Sequence, residues 1–228
     1  MNITEAREEY GRALKAGQKE VKELLSAGIF PYPAVLDEIM PEADIDSVVD
    51  IGMVEIPTNL IVGAKTSGRT TAFTKSFLPL LGADTEFAYK WVSLCAAHLS
   101  DEGIREPIVC YEYLGKFYVQ EGNKRVSVLR HFGAPRIPGI VHRVMPELSD
   151  DPAIVVYYEF LEFYKAAGIY DIQFRQPGDY AKLLSYLGKA PGDVWSEREQ
   201  KTFRAYFQYF TDMGIVFFFC CIVPCVYV

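Results

Sequence analysis

The sequence predicts an α/β fold of the α+β kind, with a helix before the mixed domain and a helical extension after it. Three observations carry this. Between residues 51 and 146, short alternating apolar segments are interleaved with segments of helical period. Ahead of them, residues 4–27 keep one long amphipathic period. Beyond residue 147 the alternation stops and three helical patterns with their own start signals follow. The expected organisation is an N-terminal helix and linker at 1–50, the α/β domain at 51–146, a helical extension at 147–213 and an apolar tail at 214–228.

Each element has a local reason. In 4–27, Ala6, Tyr10, Ala13, Leu14, Val21, Leu24 and Leu25 keep helical spacing, and Gly28 follows as a stop. "FPYPAVLDEIMPEAD" is punctuated by proline and reads as a crossing segment. "IGMVEIPTNLIVG" is strand-like as far as Pro57, and "GAKTSGRTTAF" reads as a polar loop carrying Arg69. Thr85 can cap a helix that runs to Leu99, with Phe87, Trp91, Leu94, Cys95 and His98 on one face. "EPIVCYEYLGKFYVQE" alternates on both sides of Leu114-Gly115, a hairpin signature. Asn123–Phe132 is a short helix with Val126, Leu129 and Phe132 inward, stopped by Gly133, and "PGIVHRVMP" is a further strand. In the extension, Pro152 stands in a first turn and Gly168 at a helix end, a second helix spans about 178–187, and Ser196-x-x-Glu199 is a capping-box pattern opening a third.

Composition excludes several classes. The chain has 228 residues, 50% of them hydrophobic and 23% charged, a globular balance rather than a disordered one. Its net charge is −7, unevenly spread: residues 1–50 carry −6, 51–146 carry +3 and 147–228 carry −4. Within 116–143, Lys116, Lys124, Arg125, Arg130, Arg136 and Arg143 face a single acid, Glu121. A basic island on an acidic chain points to a discrete anion site rather than wholesale binding to DNA or anionic lipid, the alternative being scattered solvated cations. "MNITEAREEY" is charged and unlike a signal peptide, and the five cysteines show neither a paired framework nor zinc spacing. A cytoplasmic location is expected. No metal-ligand set is expected either.

The chemistry concentrates in "YVQEGNKRVSVLRHFG". A strand ends at Gln120-Glu121, Gly122 permits a tight turn, and Asn123 can cap the helix that follows. Lys124 and Arg125 then occupy its first turn, where the helix dipole disfavours cations by roughly 0.3–1 kcal/mol each. They become favourable if a phosphate accepts from them and from the free N–H groups of that turn. Glu121 is placed to orient a hydroxyl, to help hold Mg²⁺ or to act as a base. Alternatively, Glu121 merely neutralises the two cations.

"EGNKRVSVLRHFGAPRIPGIV" resembles the ParB/sulfiredoxin-like family, whose core motif is a strand, G-x-x-R, a short helix ending near glycine, then "IP" and a strand. "VEIPTNLIVGAKTSGRTTAF" is similar to that fold's first strand and Arg-bearing loop, and "LCAAHLSDEGIREPIVCYEYLGKFYV" to its helix, link and hairpin, so the resemblance covers about 51–146. It implies a small mixed sheet with helices and a site that holds the triphosphate of a nucleotide such as CTP, or ATP/ADP, with Mg²⁺. Gly122 and Arg125 match the family's G-E-R-R motif, Lys124 keeps the charge, and Asn123 replaces the Glu. Asn123 also stands where sulfiredoxin has its catalytic Cys, which argues against that reductase chemistry. ParB-like serine kinases carry an acid before the glycine, as Glu121 does. Arg69 matches an upstream Arg by position. Such domains also occur at the N-terminus of longer bacterial proteins.

Three functions follow as expectations. The first is a regulatory nucleotide-binding domain using Gly122, Asn123, Lys124 and Arg125, with Arg69 and Arg105 as further phosphate ligands. The second is a small phosphotransferase or nucleotidase with Glu121 as its catalytic residue. The third is a DNA-partition-like or protein-interaction module with a vestigial pocket. DNA is disfavoured as a partner, because the segment after the core is acidic and rich in Tyr and Phe. His98 reads as a core residue, His131 and His142 as non-ligands, Asp150-Asp151 as a helix cap, and Gly63-x-x-x-x-Gly68 lacks the Lys of a P-loop. The tail "GIVFFFCCIVPCVYV" is uncharged and too short to span a bilayer; of three readings, a buried terminal strand, a membrane-associated tail and a truncation or non-native continuation, the third is expected, because charge and helical pattern vanish together at Gly214.

Overall fold

A computed structural model describes residues 3–40 and 45–213, which form two compact units dividing between Pro146 and Glu147. The fold is α+β, with seven helices and one six-stranded mixed sheet among the described residues. The sequence-predicted tail lies outside them. No helix among the described residues is long and apolar enough to cross a membrane.

The first unit contains α1 (Ile3–Ser26), β1 (Ala34–Val35), α2 (Leu36–Ile39), β2 (Ile45–Pro57), β3 (Ile61–Ala64), α3 (Glu86–His98), β4 (Ile108–Tyr113), β5 (Lys116–Glu121), α4 (Asn123–His131) and β6 (Arg136–Pro146). The sheet order is β1-β3-β5-β4-β6-β2. β4–β5 and β2–β6 are antiparallel; β1–β3, β3–β5 and β4–β6 are parallel. The hairpin is where the sequence put it: Leu114 and Gly115 both take positive φ, 49° and 74°, as a tight hairpin turn of matching twist requires.

Two elements escaped the sequence reading. β1 has two residues, within the expected crossing segment, and β3 has four, beginning beyond the strand expected to end at Pro57 and running into the expected loop. Gly63 explains their closeness. A Cβ there would sit 2.2 Å from the Ala34 carbonyl oxygen, so this glycine serves strand packing and not phosphate binding. β2 also begins earlier than expected, at Ile45.

Helices α1, α3 and α4 share one core. Ala6, Tyr10 and Ala13 of α1 pack with Phe87, Trp91, Val92 and Cys95 of α3 and Val128 of α4. Tyr10 meets Trp91 edge-on at 5.3 Å and donates its hydroxyl to the Leu81 carbonyl at 2.7 Å. The Trp91 indole N–H donates to Ser127 Oγ at 2.9 Å, which satisfies two buried polar groups at once. That contact accounts for a departure from expectation on α4: Val126, Ser127 and Val128 are buried, while Leu129 and Phe132 are half-buried. His98 rests on Phe132 with ring centroids 4.6 Å apart, half-buried rather than in the core. A second cluster, Leu36, Met40, Tyr118 and Val144, packs elsewhere in the unit.

The second unit contains α5 (Pro152–Ala167), α6 (Asp179–Tyr186) and α7 (Glu197–Asp212). Its start and stop signals act as read. Asp151 accepts from the Ala153 N–H at 2.8 Å, Gly168 ends α5 at φ 64°, and Ser196 with Glu199 forms a reciprocal capping box. Phe160, Phe163, Tyr170 and Tyr180 form its aromatic centre.

Candidate functional site

β3 and β5 lie side by side in parallel, and the carboxyl ends of both open on one cleft. Ligands of parallel sheets bind at such strand ends, because the next helix begins there. Here that helix is α4. The cleft has a volume of about 820 Å³; β5 and α4 contribute the continuous run Val119–Arg125, the 68–70 loop contributes Arg69, and α3 contributes Phe87, Lys90 and Leu94.

Gly122 is obligatory at the turn. Its φ of 103° is left-handed, and a Cβ would stand 2.7 Å from Ile108 Cγ2. It is also the N-cap, in place of the expected Asn123, which is instead the first helical residue; no side chain caps α4. With glycine there, the first-turn N–H groups of Asn123, Lys124 and Arg125 keep their donors uncovered by any side-chain cap.

The expected cations separate into two kinds. Arg125 is committed: one Nη donates to the Pro107 carbonyl, and the other lies 3.4 Å from Glu106 and 3.5 Å from Glu121. It is 13% exposed and pins the N-terminus of α4 to the β4 approach. Lys124 has no carboxylate within ion-pair distance among the described residues; its Nζ lies over the Phe87 ring at 5.0 Å. Burial first, then the neighbouring Arg69 and Lys90 cations, pulls the Lys124 ammonium below the ordinary lysine range. Arg69 stands on the cleft wall as the N-cap of a short 3₁₀ turn at Thr70–Ala72. Lys90 closes the group and pairs with Glu86 at 2.6 Å on the exposed side of α3.

Arg105 stands apart from these residues. It does not line the cleft, and its Nε donates to the Glu102 carbonyl at 2.9 Å, closing its own loop. Other cations of the basic island are engaged within the fold. Arg130 donates to the Thr58 carbonyl and, at 2.5 Å, to that of Ile61; Arg136 donates to Glu55 O; Arg143 pairs with buried Glu112. Those three cations hold the fold. Glu121 lines the cleft with its side chain 72% exposed.

Sequence reasoning missed Lys90, Phe87's place in the cleft, and Glu106. Lys90 was findable, since Phe87, Lys90 and Leu94 are spaced i, i+3, i+7 and so share one helix face. Among the described residues no three His, Cys, Asp or Glu side chains come together as a metal-binding group.

No family model matches the chain, and no curated protein matches it. What the cleft can do therefore follows from its own residues. Three cations, a first turn of free N–H groups and a glycine that lets a ligand approach the backbone make an electropositive recess with an apolar wall.

Proposed function

We propose that the first unit is a nucleotide-binding module, ParB-like in the order of its elements, which holds the phosphates of its ligand against Gly122–Arg125. One observation carries this. Lys124 and Arg69, cations with no carboxylate at ion-pair distance among the described residues, share a cleft with a helix N-terminus that no side chain caps. Lys124 and Arg69 repel each other there, with Lys90 adding to the repulsion although Glu86 partly neutralises it, and an anion between them removes the repulsion. The anion accepts from the Asn123 and Lys124 N–H groups while Lys124 and Arg69 supply charge. Arg125 contributes mainly by fixing α4. Mg²⁺ would arrive with the nucleotide, held by phosphate oxygens and one rim carboxylate, Glu121 or Glu106. The role is regulatory binding.

The phosphotransferase alternative rests on Glu121. Its exposure and its sharing with Arg125 favour a rim acid over a desolvated base.

Calorimetric titration with CTP, ATP and ADP in the presence of Mg²⁺ tests the proposal. Arg69→Ala and Lys124→Ala should each weaken binding about tenfold, the usual cost of losing a charge-assisted contact. No binding by any of the three nucleotides would sink it and leave a vestigial pocket. Turnover abolished by Glu121→Gln would convert the module into an enzyme.

A further inference from the structure

The unit that begins at Glu147 has a cavity of its own, about 590 Å³ in volume. Small-molecule sites span roughly 300–1,000 Å³. α6 supplies Leu183 and Leu187 to the wall, α7 supplies Phe203, Phe207 and Phe210, and Trp195 stands between them. α7 is the unusual element. It carries these aromatics on one stripe, yet none of its residues is buried. Phe203 and Phe207 stack within 10° of parallel at 6.1 Å, and Trp195 meets Phe203 edge-on at 5.4 Å. The stripe is pre-formed, and leaving it in water is unfavourable.

The wall also carries three charged side chains, Lys189, Arg198 and Glu199. Lys189 Nζ lies 2.5 Å from Glu199 Oε1, so these two neutralise each other. Arg198 is exposed and has no acidic partner among the described residues. The cavity therefore pairs an apolar body with one uncompensated cation. Trp195, almost wholly buried, adds its ring to the same wall.

We propose that this cavity binds a free, monoanionic amphiphile: an apolar chain or ring system seated on Phe203, Phe207 and Leu183, with a carboxylate held by Arg198. Charge complementarity selects the anion. An anionic membrane surface is disfavoured, because residues 147–228 carry seven basic against eleven acidic groups. A second copy is disfavoured by shape, since a concave recess of small-ligand size is not the broad face that a stable dimer needs, near 1,600 Å² in all.

The probe is dodecanoate, titrated calorimetrically into the full chain below its micellar concentration, beside dodecyltrimethylammonium of equal chain length. Dodecanoate should saturate at one per chain and bind about tenfold more tightly than the cationic probe. Arg198→Ala, an exposed position, should weaken dodecanoate roughly three- to tenfold and leave the cationic probe unchanged. Leu187→Gln, also exposed, should weaken both about equally. The proposal is overturned by any of four results: no saturation, equal affinity for the two head groups, indifference to Arg198→Ala, or a ligand-free dimer in sedimentation that Leu187→Gln dissolves. Binding to vesicles of phosphatidylglycerol without binding of dodecanoate overturns it as well, in favour of a membrane.

Discussion

Lys124 and Arg125 are neighbours in sequence and opposite in circumstance. Arg125 spends its guanidinium on the Pro107 carbonyl, Glu106 and Glu121, whereas Lys124 is held among cations with only an aromatic face beneath it. A lysine whose folded-state pKa is lowered costs stability while it is charged, at every pH below its ordinary value. Lys124→Gln is therefore expected to leave the unliganded Tm equal to wild type or higher, while nucleotide affinity falls about tenfold. A Tm lowered by several degrees would show Lys124 to be a packing residue instead. At this scale the sequence was informative about place and silent about allegiance. G-x-x-R marks a turn into a helix, because only glycine suits the left-handed φ of Gly122. Nothing in it tells which cation a distant carbonyl will claim. Arg130, Arg136 and Arg143 look like site candidates in sequence for the same reason, and each is taken by a partner 31 or more residues away.

α4 is the element on which the cleft depends, and it is held along its length. Arg125 ties its first turn to Pro107, Ser127 accepts from Trp91 in the middle, and Arg130 reaches back to Thr58 and Ile61. Its last residue, His131, lies 2.7 Å from Glu9 of α1, across 122 residues of chain. Hydrogen bonds from Arg12 and then from His131 hold the Glu9 carboxyl at about 2, below its ordinary 4.5. A depressed carboxyl pKa stabilises the fold above the ordinary value, and that contribution fades as pH falls from about 4.5 towards 2. Glu9→Gln should accordingly lower Tm at pH 7 and converge on wild type near pH 2; identical Tm values at pH 7 would show that α1 does not brace α4 through this contact. Helices and the hairpin were legible because their signals are local: Thr85, Asp151 and Ser196 cap as read, and Leu114-Gly115 turns as read. β1 and β3 were not, since strands of two and four residues are defined by the register Ala34↔Gly63 and not by any period of their own.

At the scale of the molecule, the sequence treats α1 as a helix ahead of a domain, whereas the packing makes it part of that domain. Amphipathic spacing shows that Ala6, Tyr10 and Ala13 share a face; it does not show what the face meets. Tyr10 meets Trp91, Ala6 and Ala13 lie in the same core cluster, and all three are at most 2% exposed. Removing residues 1–28 would uncover Trp91, Phe87 and Cys95 together and strand the Leu81 carbonyl. Losing one large buried aromatic costs about 3–5 kcal/mol, against the 5–15 kcal/mol that holds a typical domain. A chain of residues 1–146 is thus expected to melt cooperatively and to bind nucleotide as the full chain does, because the cleft and its whole core lie within it. A chain of residues 29–146, or one cut to the 51–146 suggested by sequence, should show no cooperative melt by near-ultraviolet circular dichroism and no binding. A cooperative melt of 29–146 within a few degrees of that of 1–146 would show that α1 covers the core without completing it. The deletion separates two ways for binding to fail: a folded 29–146 that cannot bind implicates the Glu9–His131 brace of α4, whereas an unfolded one implicates the core that positions the cleft.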